Sequence, residues 1–116
     1  MNKRKTGSYY ETLVKQHLTA QGFEIVAKNF RGRFGEIDII ARDGEYLAFI
    51  EVKYRSTNSS GYPEEAVSAS KQKTILKTAK YFLTTNGISP DTSIRFDVAA
   101  VYPDYTIRYY KNAFTG

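Results

Sequence analysis

The fold is decided by the stretch GEIDIIARDGEYLAFIEVK, which occupies residues 35–53. Alternating residues, many of them β-branched, predict one strand over 35–41 and another over 46–53. Between them lie Asp43 and Gly44, a strong hairpin signal because glycine accepts the positive φ that a tight turn needs. Both faces of each strand carry large apolar residues, so we expect a sheet that is covered on two sides.

The rest of the chain supplies two helices and three more strands. We expect the first three strands to form an antiparallel meander, and the second helix to cross over to the fourth strand. This predicts a mixed α/β sheet of order α-β-β-β-α-β-β with helices on both faces. The predicted elements are helices over 8–20 and 70–87 and strands over 24–30, 35–41, 46–53, 93–102 and 105–111.

Length and composition favour a single globular domain over 1–116. Hydrophobic residues make up 41% and charged residues 25%, which excludes disorder as a description of the whole chain. We expect a basic arm over 1–6 and a flexible polar loop over 54–62. No apolar run approaches the ~20 residues of a membrane span, and no secretory signal is expected.

Charge and residue usage narrow the chemistry. The chain has no cysteine and a single histidine, His17, which excludes disulfides and thiolate metal sites and fits a reducing cytoplasm. We interpret His17, on the apolar stripe of the first helix, as partly buried and hydrogen-bonded. The net charge of +5 favours a polyanionic partner such as nucleic acid. Catalysis would therefore use carboxylates, lysines, arginines or a metal held by oxygen.

Three ionisable residues interrupt strands that otherwise look buried: Asp38, Glu51 and Lys53. A buried charge is costly unless it is paired or binds a metal. Glu51 and Lys53 share one face with Cα atoms about 6.6 Å apart, and Asp38 lies on the neighbouring strand. Two such carboxylates can hold Mg²⁺, which stabilises charge on a phosphodiester and lowers the pKa of bound water. Lys53 would orient that water or hold a phosphate.

Strict alternation places Asp38 and Ile40 on one face of their strand and Ile37 and Ile39 on the other. A further carboxylate, Glu11, shares its helical face with the apolar positions 14 and 18. It can therefore point into the same site.

Each of these residues also has a structural alternative. Glu51 and Lys53 can form an ion pair at a strand end, Asp38 can cap a turn or pair with an arginine, and Glu11 can lie in water at the stripe edge. The arrangement as a whole favours a site, because a strand aspartate, a turn and then Glu-x-Lys form a specific pattern.

Asp38 followed by Glu51-Val52-Lys53 resembles the signature of the PD-(D/E)xK nuclease superfamily. The fuller runs at 35–41 and 49–55 resemble the YraN-type bacterial proteins, which are described as endonucleases related to archaeal Holliday-junction resolvases. The similarity covers roughly 7–102. Further matching motifs are PEEAV (63–67), KQ (71–72) and RFDV (95–98).

The resemblance implies a restriction-endonuclease-like core and a Mg²⁺-dependent endonuclease, with Mn²⁺ as a substitute, that cuts DNA, including branched or single-stranded DNA. It implies that Asp38 and Glu51 are metal ligands, Lys53 is the catalytic lysine and Glu11 is the helix-borne acid. By analogy with resolvases it implies a homodimer. The chain departs from the family in having Tyr10 directly before Glu11, where the ring narrows the entrance.

Basic residues beside the motifs are predicted to contact nucleic acid, since cations that neutralise phosphates give sequence-independent binding. We interpret the tyrosines near the C-terminus as packing residues rather than base-stacking ones. A DNA-binding module without catalysis and a partner-binding protein remain alternatives. The predicted contacts are Arg31, Arg33, Arg55 and Lys71.

Overall fold

A computed structural model describes residues 3–55 and 67–114, with side chains from residue 9 onward in those ranges. The predicted loop at 54–62 lies outside the described residues from residue 56 onward, as do the motif at 63–66 and the side chains of the basic arm. The element order confirms the predicted α/β class, and the architecture is compatible with a restriction-endonuclease-like fold. The elements are α1 (Lys3–Ala20), β1 (Glu24–Arg31), β2 (Glu36–Asp43), β3 (Tyr46–Tyr54), α2 (Ala69–Thr85), β4 (Ile94–Val101) and β5 (Ile107–Phe114).

One mixed sheet has the strand order β1-β2-β3-β4-β5. The predicted antiparallel meander of β1, β2 and β3 is confirmed, and the hairpin glycine Gly44 has a φ of 61°. β3 and β4 are parallel, so the chain must cross over between them, and α2 lies in that crossover. β5 is antiparallel to β4 at the edge.

Each face of the sheet carries one helix and one apolar cluster, as predicted. On one face, Val14 and Leu18 of α1 pack with residues of β2, β3 and β4. On the other face, α2 packs on β2, β3 and β4 around Phe49. The α2 residues in this cluster are Ile75, Ala79, Phe82 and Leu83.

Two elements begin two or more residues away from the predicted start. α1 begins at Lys3 rather than at residue 8, because its early lysines and arginine are good helix formers and continue the helix. β5 begins at Ile107 rather than at 105, because Tyr105 closes a turn in which its N–H donates to the carbonyl of Tyr102 at 2.8 Å.

The strict alternation predicted for β2 is wrong at one position. Ile37 packs in the same cluster as Ile40, on the α2 face, whereas Ile39 packs on the α1 face. The reason lies in the pairing, which includes Lys28–Ile39 and Phe30–Ile37 but leaves out the intervening residues. The alternation of side chains between the two faces of β2 is therefore interrupted at Asp38.

Candidate active site

The four residues predicted to carry chemistry come together at one end of the sheet. They line a cavity of about 400 Å³ that also receives a lysine from α2 and two tyrosines. The prediction that Glu11 points into the same place as the strand residues agrees with this arrangement. The lining residues are Tyr10, Glu11, Asp38, Glu51, Val52, Lys53, Tyr54 and Lys71.

Asp38 lies where β2 separates from β3. The pairing of the two strands stops at Ile39 and Ile50, so the N–H of Val52 has no carbonyl of β2 opposite it. Instead Val52 donates this N–H to Oδ2 of Asp38 at 2.8 Å. Because a buried main-chain donor needs an acceptor, this bond fixes the carboxylate beside the end of β3.

Glu51 is buried, with only 5% of its side chain exposed, and it faces two lysines. Lys71 Nζ lies 2.6 Å from Glu51 Oε1, and Lys53 Nζ lies 3.7 Å from the same oxygen. A carboxylate this deeply buried needs such cations, since an unpaired buried charge costs several kcal/mol. The predicted Glu51–Lys53 pair is therefore present, but Lys71 forms the closer contact.

Glu11 reaches the cavity from the α1 face. It hydrogen-bonds to the side chain of Asn29, which lies on β1 opposite Asp38 and has a φ of 51°. Asparagine tolerates this left-handed conformation better than most residues. Burial raises the pKa of Glu11, the bond to Asn29 lowers it, and the charges of Glu36 and Glu51 add to the increase.

Asp38 has the most altered acidity of these carboxyls. Burial, and next the negative charge of Glu51, raise its pKa from the ordinary 3.8 to about 7. The bond from Val52 and the charge of Lys71 act in the opposite direction, and Glu11 adds to the increase. Such a shift is typical of carboxylates held together in one site, and it makes a cation favourable there.

Lys71 remains a firm cation. Burial alone would lower its pKa, but the hydrogen bond to Glu51 and the charges of Glu51 and Asp38 outweigh burial and leave the pKa raised. The ammonium therefore neutralises part of the negative charge that the carboxylates bring together.

A second cavity, of about 510 Å³, adjoins the first and shares Asp38 and Lys71 with it. Its walls are the start of β2 and the first turns of α2. Ser68 caps α2 by accepting the N–H of Lys71 at 3.2 Å. Together the two cavities make a continuous polar depression across the end of the sheet.

The donor set fits a hard divalent cation of low protein coordination. Asp38 and Glu51 line one cavity, and burial together with the charge of Glu51 raises the pKa of Asp38. Among the residues that the structure describes, no three His, Asp or Glu side chains stand close enough to form a metal cage. Mg²⁺ commonly uses one or two carboxylates and keeps waters or substrate phosphates as its other ligands, so two carboxylates suffice.

The predicted nucleic-acid contacts lie in different settings. Arg31, at the end of β1, pairs with Glu36 at 3.1 Å with its side chain 75% exposed, and Arg33 is exposed in the following turn. Arg55 follows β3, and its Nε is buried without a hydrogen-bond partner in the described part of the chain. Lys71 lies inside the candidate site rather than beside it.

Two features of the site escaped sequence reasoning. Lys71 was expected to contact nucleic acid, and nothing in its local sequence indicates a partner 20 residues earlier on β3. Tyr54 was not singled out, although its position directly after Lys53 places it at the same strand end. Tyr10 lines the cavity. His17 is half-buried and lines a separate cavity with Asp43 and Tyr109.

Within the described ranges, no helix is long and apolar enough to cross a membrane.

Comparison with known proteins places the chain among close relatives that carry no assigned activity. The chain is 47% identical to a UPF0102 protein of Lachnoclostridium phytofermentans over 98% of this chain and 96% of that protein. It is 44% identical to UPF0102 protein HRM2_30940 of Desulforapulum autotrophicum, over 97% and 94% of the two chains.

A third relative, UPF0102 protein CD630_12710 of Clostridioides difficile, is 41% identical over 98% of this chain and all of that protein. The profile described as "Uncharacterised protein family UPF0102" matches residues 10–101, a range that includes every residue of the candidate active site. The chain therefore belongs to the uncharacterised protein family UPF0102, the YraN family that its motifs resemble.

Proposed function

We propose that this protein is a metal-dependent endonuclease that hydrolyses phosphodiester bonds in DNA, including branched DNA. One observation carries the proposal: Asp38, Glu51 and Lys53, which the chain supplies from two strands, line a single open cavity. Reactions at phosphodiesters need cations at the phosphate and an activated water, and this set of side chains provides places for both. The absence of cysteine suits action in the reducing cytoplasm.

Each side chain has a distinct role in this proposal. Asp38 and Glu51 would hold Mg²⁺, with Mn²⁺ as a substitute, and Val52 keeps the Asp38 carboxylate oriented through its N–H. The ion, when bound, would lower the pKa of a water and neutralise charge on the phosphate. Lys53, with its ammonium 3.7 Å from Glu51, would donate hydrogen bonds to the attacking water or to a phosphate oxygen. Glu11 would accept a proton or orient a water from the α1 side.

DNA would reach these groups along the two joined cavities. The phosphates would follow the depression between the start of β2 and the first turns of α2, where Lys71 is half-exposed. Arg31, Arg33 and Arg55 would neutralise neighbouring phosphates outside it. Two strands of a branched substrate are cut by two active sites in resolvases, so a homodimer belongs to the proposal.

One observation favours a second candidate, a DNA-binding module on the same fold without catalysis. Lys71 Nζ lies 2.6 Å from Glu51 Oε1, so the lysine occupies one of the carboxylate oxygens with which Glu51 would bind a metal ion. If Lys71 stays in this position, it competes with the ion for Glu51, and the site would then bind phosphates rather than a metal.

A cleavage assay separates the two candidates. Labelled four-way junction, flap, duplex and single-stranded DNA are incubated with Mg²⁺ or Mn²⁺ and the wild-type protein, Asp38→Asn, Lys53→Ala or Asp91→Asn. We expect wild-type cleavage and a loss of about 100-fold or more in Asp38→Asn and Lys53→Ala, the scale on which removing one charge-stabilising group acts.

Asp91→Asn is the matched control, because it makes the same chemical change at an exposed aspartate before β4, at the other end of the sheet. Cleavage that persists in both site variants would overturn the enzymatic proposal. Metal-independent binding without any cutting would support the binding module.

A further inference from the structure

A cluster of four tyrosines extends outward from the candidate site, whose cavity two of them line. Tyr9 and Tyr10 come from α1, Tyr54 ends β3, and Tyr105 lies in the turn between β4 and β5. The rings of Tyr10 and Tyr54 are stacked with centroids 4.5 Å apart, and Tyr10 and Tyr105 are stacked at 6.4 Å. Tyr9 meets Tyr105 edge-on at 6.1 Å. We call these four residues the tyrosine cluster.

The outer rings of the tyrosine cluster remain in contact with water. Tyr9 and Tyr54 are each 52% exposed, and Tyr105 is 57% exposed. A contiguous exposed group of aromatic rings beside a polar cavity indicates a binding surface, whereas aromatic residues that serve packing are covered. Tyr102, only three residues before Tyr105, is covered in this way, with 5% exposure. The packing interpretation of the C-terminal tyrosines therefore fits Tyr102 and does not account for Tyr105.

Tyr105 also has an unfavourable backbone. Its φ of 66° lies in the left-handed region, which glycine and asparagine adopt readily and a bulky residue does not. Holding a large ring in this conformation costs of the order of 1–3 kcal/mol, and such strain concentrates at functional sites. The Tyr105 ring contacts Tyr9 and Tyr10 but stays 57% exposed, so the buried core gains little from it.

The tyrosine cluster is continuous with the candidate site. Tyr10 and Tyr54 line the cavity that contains Asp38 and Lys53. The hydrogen bond between the two hydroxyls, followed by burial, raises the pKa of Tyr10 to about 12, so its ring stays uncharged at neutral pH. A ligand that bridges the two regions must combine an anionic group for the lysines with a flat aromatic group for the tyrosines. A nucleotide unit of DNA has both, but only an unpaired base exposes its face.

We propose that the tyrosine cluster stacks on an unpaired base of the DNA strand whose phosphodiester enters the candidate site. This inference rests on the proposed function and deepens it: the substrate carries a single-stranded segment next to the scissile bond, as at a flap or an opened junction. Stacking on aromatic side chains tolerates any base, because every base has a π-face. The cluster thereby selects DNA structure rather than sequence.

The test compares binding to bases with binding to the backbone alone. Fluorescence anisotropy without divalent metal, where nothing can be cut, measures the affinity for single-stranded oligothymidylate and for an abasic oligodeoxynucleotide of the same length and charge. The variants are Tyr54→Thr and Tyr105→Asn; asparagine suits the positive φ at 105, and threonine suits the strand position at 54. Tyr46→Thr is the matched control, since Tyr46 is 44% exposed at the opposite end of β3, about 26 Å away by strand rise.

We expect wild-type protein to bind the base-bearing strand about 5-fold to 100-fold more tightly than the abasic strand, the scale of stacking on one base. Tyr54→Thr and Tyr105→Asn should lose most of this preference while keeping the abasic affinity, and Tyr46→Thr should keep both. Equal wild-type affinities for the two strands would overturn the inference and leave the proposed nuclease standing if cleavage is seen.

Two other results have distinct meanings. A protein that neither binds nor cuts any DNA would remove the proposed function and the inference together. A dimer that Tyr105→Asn dissociates in sedimentation, with no base-dependent binding, would assign the tyrosine cluster to a second copy of the chain and overturn the inference.

Discussion

Two aspartates, Asp38 and Asp97, occupy matching positions at the two sides of the central strand β3 and have opposite surroundings. Each lies where the pairing of its strand is interrupted, next to an asparagine with positive φ on the neighbouring strand: Asn29 at 51° and Asn112 at 54°. In each place a main-chain N–H that the ladder does not use donates to the carboxylate at 2.8 Å. The two interruptions differ in register, because β5 has two extra residues opposite Asp97, whereas the β1–β2 register is the same on either side of Asp38.

At Asp97 the neighbours are donors and a cation. This carboxylate is fully buried and accepts hydrogen bonds from the guanidinium of Arg95, at 2.9 Å to each oxygen, and from the hydroxyl of Tyr109 at 2.5 Å. Arg95 also contacts Asp43 at 2.9 Å. Burial and then the charge of Asp97 raise the pKa of Tyr109 far above its ordinary value, so its hydroxyl keeps the proton that it donates.

At Asp38 the neighbours are other carboxylates. It accepts a hydrogen bond from the N–H of Val52, and burial together with the charges of Glu51 and Glu11 raises its pKa. The contrast teaches that an interrupted strand pair can serve stability or binding, and that neighbouring charge decides which. Asp97, which is surrounded by hydrogen-bond donors, holds strands together. Asp38, which lies beside other carboxylates, is stabilised in its charged form by a nearby cation.

The largest expected effect comes from removing the Asp97 carboxylate, which holds the buried hydrogen-bonded group together. Asp97→Ala leaves the buried Arg95 guanidinium with Asp43 as its remaining carboxylate and removes the acceptor of Tyr109 and Asn112. We expect the free energy of unfolding to fall by about 3–5 kcal/mol, as when one partner of a buried ion pair is removed. Urea denaturation measures this, with exposed Asp91→Ala as a control that should stay within about 0.5 kcal/mol of wild type. A loss below 1 kcal/mol would contradict the assignment of Asp97 to stability.

Around Asp38, where carboxylates lie together, we expect the free energy of unfolding to depend on pH. The pKa of Asp38 is about 7 in the folded protein and about 3.9 in an unfolded chain. The folded state therefore holds this proton more tightly, and its contribution to stability is present below pH 4 and is lost as the pH rises towards 7. We expect Asp38→Asn to lack this decrease, because asparagine does not titrate, while its side-chain oxygen can still accept the N–H of Val52.

Measuring the free energy of unfolding from pH 4 to pH 8 tests this expectation. Asp91→Asn, an exposed control, should follow the wild-type profile. If Asp38→Asn also follows it, Asp38 is not the titrating group.

The smallest expected effect concerns Lys71, whose ammonium already contacts Glu51. In the proposed metal site, Mg²⁺ would compete with the Lys71 ammonium for Glu51 Oε1. We expect Lys71→Ala to bind Mg²⁺ up to about tenfold more tightly, which corresponds to about 1.4 kcal/mol, a modest value because the lysine is half-exposed. Thermal unfolding at increasing Mg²⁺ measures the affinity, with exposed Lys73→Ala as the control on the same helix. An unchanged affinity in Lys71→Ala would mean that the ion does not use Glu51.

The sequence predicts most of the fold because hydrophobic periodicity and turn residues act locally. Gly44 marks the hairpin, and the alternation in β3 correctly separates Phe49 from Ile50. The alternation fails at Ile37, next to the point where β1 and β2 leave one residue each unpaired and where Asn29 of β1 has a positive φ. Local patterns contain no information about such cross-strand events.

The candidate site was predictable to a similar extent. Asp38, Glu51 and Lys53 stand out because charge is unusual in buried strands. Asp97 belongs to a recognised motif, but its role depends on Tyr109 and Asn112 of β5, which sequence spacing does not bring to it. The Lys71–Glu51 contact depends on how α2 lies against the sheet, and that is a matter of packing.

The approach of α2 to the sheet depends on Gly35, the residue just before β2. A methyl group built on this glycine would lie only 2.5 Å from Cγ2 of Thr74, one helical turn after Lys71. A larger residue at 35 would force either the Thr74 side chain to rotate or the helix to move outward, and an outward movement would carry the Lys71 ammonium with it. The close approach of α2 to the carboxylates therefore depends on the absence of a side chain at Gly35, a residue that has no charge and takes no part in the chemistry.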